Sequence, residues 1–167
     1  MNTKMIPSIF TLANLMLGVL SLMYTMDGEW QMAAIMILTG TVLDAMDGRL
    51  ARRLDATSPF GKELDSLCDL VSFGVAPALL IYAYKLSDLQ YVGIPLALIF
   101  SLCGAVRLAR FNVLNISDYF VGVPITAAGS LMALMVLLSN RIPDLAFPIL
   151  MLLLAYLMVS RIKVPKY

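Results

Sequence analysis

Leu43-Asp44-Ala45-Met46-Asp47-Gly48-Arg49-Leu50-Ala51-Arg52 closes an apolar run that begins near Trp30, and Gly61-Lys62-Glu63-Leu64-Asp65-Ser66-Leu67-Cys68-Asp69 opens another that continues to about residue 84. Each run is long enough for a helix that crosses about 30 Å of hydrocarbon. Asp44 and Asp47 are three apart and Asp65 and Asp69 four apart, so each pair shares a helical face. The connection between the runs is short, so the two helices should lie antiparallel and bring those faces together at one membrane edge. Within it, Ser58 is the expected N-cap and Pro59 the first helical residue of the second helix.

Carboxylates in that position need an energetic reason. An acidic side chain well inside a bilayer costs about 2.5–3.5 kcal/mol on insertion scales, and mutual repulsion adds to this when several converge. Four aspartates carry the charge that two divalent cations balance. Oxygen ligands favour Mg²⁺, Mn²⁺ or Ca²⁺, whereas zinc would call for His or Cys. Two such ions held about 3.5–4 Å apart can clamp the entering and leaving oxygens of a phosphoryl displacement. Gly48 and Gly61 flank the carboxylates, where the backbone can approach a bulky phosphate or nucleotide closely.

The rest of the chain extends the membrane reading. Of 167 residues, 60% are hydrophobic and 14% charged, with a mean hydropathy of +0.87. An ordinary soluble domain carries about 25% charged residues. This composition excludes a soluble enzyme, a disordered chain and a protein that binds nucleic acid through a basic surface. Apolar stretches at about 5–26, 30–52, 61–84, 91–111, 120–139 and 143–161 predict an all-α integral membrane protein of six transmembrane helices, a single domain over 1–167. Pro77, Pro95, Pro124 and Pro148 lie inside or near the starts of these spans, where kinks are expected. Counted through six spans, ten of the twelve Lys and Arg fall on one side and only Lys85 and Arg141 on the other. Cationic loops stay in the cytoplasm, which puts both termini and the carboxylate edge there. The first stretch is too long for a signal-peptide core and lacks an A-x-A-like site, so it reads as a retained helix.

Absences and isolated polar residues restrict the chemistry. With no histidine in the chain, acid–base work falls to carboxylates and a phosphohistidine intermediate is excluded. Cys68 and Cys103 lack paired spacing and read as small buried hydrophobes. Asn14, inside the first apolar helix, suits either a hydrogen bond to a nucleotide or an interhelical one. Arg107 and Arg110 sit three apart at the end of the fourth span. They suit capture of an anionic acceptor by guanidinium forks, or simple anchoring at the membrane edge.

The motif D-x2-D-G-x2-A-R-x8-G-x3-D-x3-D is complete here as Asp44, Asp47, Gly48, Ala51, Arg52, Gly61, Asp65 and Asp69. It resembles the signature of the CDP-alcohol phosphotransferase family. The resemblance implies a homodimeric six-helix enzyme of the cell membrane that moves a phosphoalcohol from a CDP-linked donor to an acceptor hydroxyl and releases CMP. It implies that Asp44, Asp47, Asp65 and Asp69 hold two divalent ions, Mg²⁺ or Mn²⁺ with Ca²⁺ as a further occupant, and that Asp69 is also the general base. Gly48, Ala51, Arg52 and Gly61, together with Asn14, would contact the CDP-activated lipid. The segments Arg107-Leu108-Ala109-Arg110-Phe111-Asn112 and Phe120 to Ala128 are similar to the branch whose acceptor is L-serine, with Val123 and Thr126 standing where Leu and Pro are common. Arg107 and Arg110 would then bind the acceptor. The expected reaction is a direct displacement, assisted by two metals, on CDP-diacylglycerol or its ether equivalent. Glycerol phosphate or inositol phosphate is the alternative acceptor, and a divalent-cation transporter the alternative from another class. Against transport, the two halves of the chain show no internal repeat.

Overall fold

The structure, a computed structural model, describes residues 6–53, 58–114, 119–160 and 163–165. Six helical rods make up nearly all of it: α1 (Ile6–Met26), α2 (Trp30–Arg53), α3 (Pro59–Leu86), α4 (Gln90–Leu114), α5 (Ile125–Leu137) and α6 (Ala146–Val159). A short antiparallel pair, β1 (Tyr119–Val121) and β2 (Lys163–Pro165), ties the segment before α5 to the one after α6.

Local chemistry explains where the rods begin and end. α1 stops at Gly28, whose φ of +78° suits glycine; its N–H donates to Thr25 O and the N–H of Glu29 to Tyr24 O. These bonds satisfy the orphan carbonyls of the last turn. α3 starts as expected: Ser58 is the N-cap, its hydroxyl accepts the Gly61 N–H at 3.0 Å, and Pro59 follows. It is not a uniform α-helix. Two wider π turns, Leu70–Val75 and Tyr82–Leu86, interrupt it. The first precedes Pro77, which has no N–H to give and whose ring crowds the carbonyl four residues back.

The fifth apolar stretch is shorter than expected. Residues 120–139 were expected to form one span, but the helix there runs only from Ile125 to Leu137. Gly122, at φ +74°, and Pro124, the N-cap, hold the chain out of helix before it. Pro124 is therefore a boundary and not a kink. Pro95 does lie inside α4. The sixth stretch, expected at 143–161, is helical over Ala146–Val159, with Pro148 in its first turn.

Among the described residues, three helices are long and apolar enough to cross a membrane, over Ile9–Met26, Pro59–Leu86 and Tyr91–Val113. α2 has the length, 24 residues, but carries Asp44, Asp47, Arg49, Arg52 and Arg53 toward its end. α5 and α6, with 13 and 14 residues, reach about 20 Å at 1.5 Å per residue. The outward side of α1 exposes Ile9, Leu12, Met16, Val19 and Met23 at helical spacing, an apolar stripe that suits lipid. Inside, Phe73, Phe100, Phe147, Ile37, Met132 and Met151 fill the centre. Small residues bring α1 against α2, where Ser21 Oγ donates to Ala33 O at 2.9 Å. The hydroxyls of Thr41 and Ser130, 2.8 Å apart, join α2 to α5.

Candidate active site

α2 and α3 present their aspartates to one another. Asp44, from α2, and Asp65 and Asp69, one turn apart on α3, each contribute a carboxylate oxygen to a group whose members lie within 4.8 Å of one another. The i, i+4 spacing on α3 and its fixed start at Ser58 give this face its direction. Asp69 is buried, while Asp44 and Asp65 are partly exposed. Among the described residues, no Lys or Arg stands within ion-pair distance of the three.

Asp47, expected with the other three, lies one turn along α2 and is addressed separately. Its Oδ2 accepts the hydroxyl of Thr11 on α1, and its Oδ1 is buried without a partner. It remains near enough to Asp44 and Asp65 for their charges to interact. Asn14, one turn beyond Thr11, donates Nδ2 to Asp69 Oδ1 at 3.3 Å. One face of α1 thus contacts a carboxylate on each of the other two helices. The sequence singled out Asn14 but not Thr11; the spacing of three between them is the signal that links the pair. Of the two uses open to Asn14, the structure displays the interhelical bond. Ser72 Oγ donates to the Asn14 backbone carbonyl at 3.0 Å, and Gly40 gives the Asn14 amide room.

Arg107 and Arg110 have different surroundings. Arg107, on α4, stands close enough to Asp69 for their charges to interact, with its Nε buried and without a partner. Arg110 donates Nη1 to Val159 O at 3.0 Å, which caps the last turn of α6. Below them, Asn112 Nδ2 donates to Ser66 Oγ at 3.0 Å and reaches the Glu63 carboxylate at 3.4 Å. Gly61 serves the α3 cap. Gly48 is exposed, and a Cβ there would meet no atom of the described residues within 4 Å. Ala51 and Arg52 belong to the last turns of α2, and their side chains lie outside the described residues. Cys68 is buried beside Asp69 and Cys103 half-buried, both as free thiols.

The donor set fits a hard divalent cation. Three carboxylates converge with no ion-pair partner among the described residues, and the Oδ1 atoms of Asn14 and Asp47 are buried nearby without hydrogen-bond donors. Buried polar groups are seldom left so. Oxygen ligands without His or thiolate match Mg²⁺, Mn²⁺ or Ca²⁺.

Similarity to known proteins extends along nearly the whole chain. The family model described as CDP-alcohol phosphatidyltransferase matches residues 4–160. The CDP-diacylglycerol–serine O-phosphatidyltransferase of Helicobacter pylori is 40% identical over 170 residues, covering 96% of this chain and 72% of that protein. That of Bacillus subtilis is 40% identical over 167 residues, covering 97% of this chain and 90% of the relative. The archaetidylserine synthase of Methanothermobacter thermautotrophicus is 36% identical over 165 residues, covering 96% and 70%. The match runs through all six rods, and the chain belongs to the CDP-alcohol phosphatidyltransferase family.

Proposed function

We propose that this chain transfers a phosphatidyl-type group from a CDP-activated lipid to the hydroxyl of L-serine and releases CMP. The observation that carries the reading is the convergence of Asp44, Asp65 and Asp69 between two helices of a membrane protein. The relatives whose names specify a head group name serine, while the lipid part of the name changes between them. The shared serine in these names supports serine as the acceptor, with a lipid tail of either ester or ether type.

Asp44, Asp65 and Asp69, with Asp47 as the fourth carboxylate, would hold two divalent ions, Mg²⁺ or Mn²⁺. Bound there, such ions supply positive charge against the donor diphosphate. The protein's own residues do the rest. Asp69 takes the proton of the serine hydroxyl as its oxygen attacks the phosphorus nearer the lipid. With Oδ1 held by Asn14, the other oxygen of Asp69 is the one left for this task. Arg107 orients the serine carboxylate from the α4 side. Gly48 leaves space for the donor beside α2, and Ala51, Arg52 and Gly61 complete its pocket. The reading takes the displacement as direct, and a two-step route through a phosphatidyl-histidine is closed because the chain has no histidine.

A phosphorylated acceptor would call for both guanidiniums. That of Arg110 is engaged on Val159 O, which favours serine over glycerol phosphate or inositol phosphate. The same reading takes the chain as one domain of six spans, with both termini and the site at the cytoplasmic face. In it α5 and α6 reach across a locally thinned bilayer with the help of their flanking residues, and two copies pair as a homodimer.

The test is CMP release by purified protein with CDP-diacylglycerol and a panel of acceptors. Release that requires serine is the expected result. Release with glycerol phosphate or inositol phosphate and not with serine would overturn the acceptor assignment. Divalent-metal flux into proteoliposomes without consumption of CDP-lipid would overturn the enzyme reading in favour of transport.

A further inference from the structure

We infer that the wide turn Leu70–Val75 of α3, with Pro77 behind it, sets the rotational position of Asp65 and Asp69 against α2, so that Pro77 is a positioning residue for the site. The inference rests on the role given above to those carboxylates. At Asp69 the hydrogen-bond ladder changes register. Leu70 N–H still donates to Ser66 O, four residues back, but Ala76 N–H donates to Val71 O, five back. In an unbroken α-helix Phe73 O would take the N–H of residue 77, which proline lacks. One surplus residue in a turn offsets everything before it by about 100° from everything after it.

The two sides of this turn have separate obligations. Before it, Asp65 and Asp69 must meet Asp44. After it, Ala76, Ala78, Leu80 and Ile81 are fixed in the core. The turn itself is held from four directions. Ser72 Oγ donates to Asn14 O on α1, and a Cβ at Gly18 would strike that hydroxyl. The Phe73 ring lies over Gly40 of α2, and its carbonyl faces Gly129 of α5, where a Cβ would come within 2.5 Å. Ser101 of α4 donates to Gly74 O at 3.4 Å. The half of α3 beyond the turn is therefore not free to rotate. If the ladder closed to α register, the half that carries Asp65 and Asp69 would swing away from Asp44.

The test uses the full chain in detergent micelles. One series has Cys68→Ala and Cys103→Ala as background and adds Asp44→Cys with Asp65→Cys, so that a short bifunctional thiol reagent reports whether α2 and α3 face each other. Cross-linking should be rapid with Pro77 present, at least tenfold slower in Pro77→Ala, and restored when Val75 is also deleted, because the deletion removes the surplus residue while the ladder closes. A second series keeps the aspartates. There Pro77→Ala should lower CMP release by about 100-fold, the effect of a misplacement near 1 Å. Its thermal midpoint should hold or rise, since a helix-interior proline is lost. Cross-linking in Pro77→Ala as fast as with Pro77 would overturn the proposal. So would a fall in midpoint together with cross-linking and turnover, with no recovery on deleting Val75, for then Pro77 is a packing residue. A chain that cross-links with the expected pattern and yet releases no CMP would overturn the functional reading and leave the rotational one standing.

Discussion

The two ends of α3 handle polar groups in opposite ways. Near Leu86, Lys85 Nζ lies 2.6 Å from Asp144 Oδ1 and 4.9 Å over the Tyr84 ring, while the Tyr84 hydroxyl donates to Ser139 Oγ at 2.8 Å. Trp30 and Phe147 pack on the same tyrosine. About 24 Å along the rod at 1.5 Å per residue, the Asp65–Asp69 end has carboxylates facing carboxylates. Three buried polar atoms there, Asn14 Oδ1, Asp47 Oδ1 and Arg107 Nε, have no hydrogen-bond partner. One end closes its polar contacts within the chain and the other leaves them open. The open end is the one shaped for groups that the chain does not itself supply.

The comparison is broken most severely by removing the proposed base. Asp69→Asn, nearly isosteric, should lower serine-dependent CMP release by about 10²–10⁴, the usual worth of a positioned acid or base, while CDP-lipid affinity is largely kept. Turnover near that of the unaltered chain would remove Asp69 from the chemistry. Next is Asn14→Leu, which deletes the donor to Asp69 Oδ1 and should cost about 10–100-fold in Mn²⁺ affinity or turnover, the range found for groups that orient metal ligands. Thr11→Val, read by Mn²⁺ titration of the purified protein, should fall at the low end of that range, because Asp47 stands apart from the trio. At the closed end, Lys85→Met should leave turnover unchanged and move the thermal midpoint little, since exposed ion pairs contribute little. A large loss of activity there would erase the distinction between the ends.

How far this was legible beforehand differs residue by residue. The facing of Asp44, Asp65 and Asp69 could be read because it follows from helical periodicity and a short connection, and the Ser58–Pro59 start of α3 because a cap is a local signal. Thr11 could not be matched to Asp47, 36 residues away, because hydroxyls recur in membrane helices and spacing alone does not say which carboxylate one will meet. The position of Arg110 at the end of the fourth span is plain in the sequence, whereas the carbonyl it caps belongs to Val159, 49 residues on, and no local signal pairs the two. The delayed start of α5 was written in Gly122 and Pro124, but apolar content outweighed them in a reading by hydropathy. The wide turn after Asp69 depends on four neighbouring helices closing on it, and no local pattern reports that.

Gly48 has a consequence for how substitutions would sort. Gly18, Gly40, Gly104 and Gly129 are each pressed by a neighbouring residue, whereas a methyl group at 48 would meet none of the described residues within 4 Å. In a library screened for how much protein accumulates in the membrane, alanine should be depleted at those four positions and pass unnoticed at 48. Selected instead for the lipid product, the same library should lose all five.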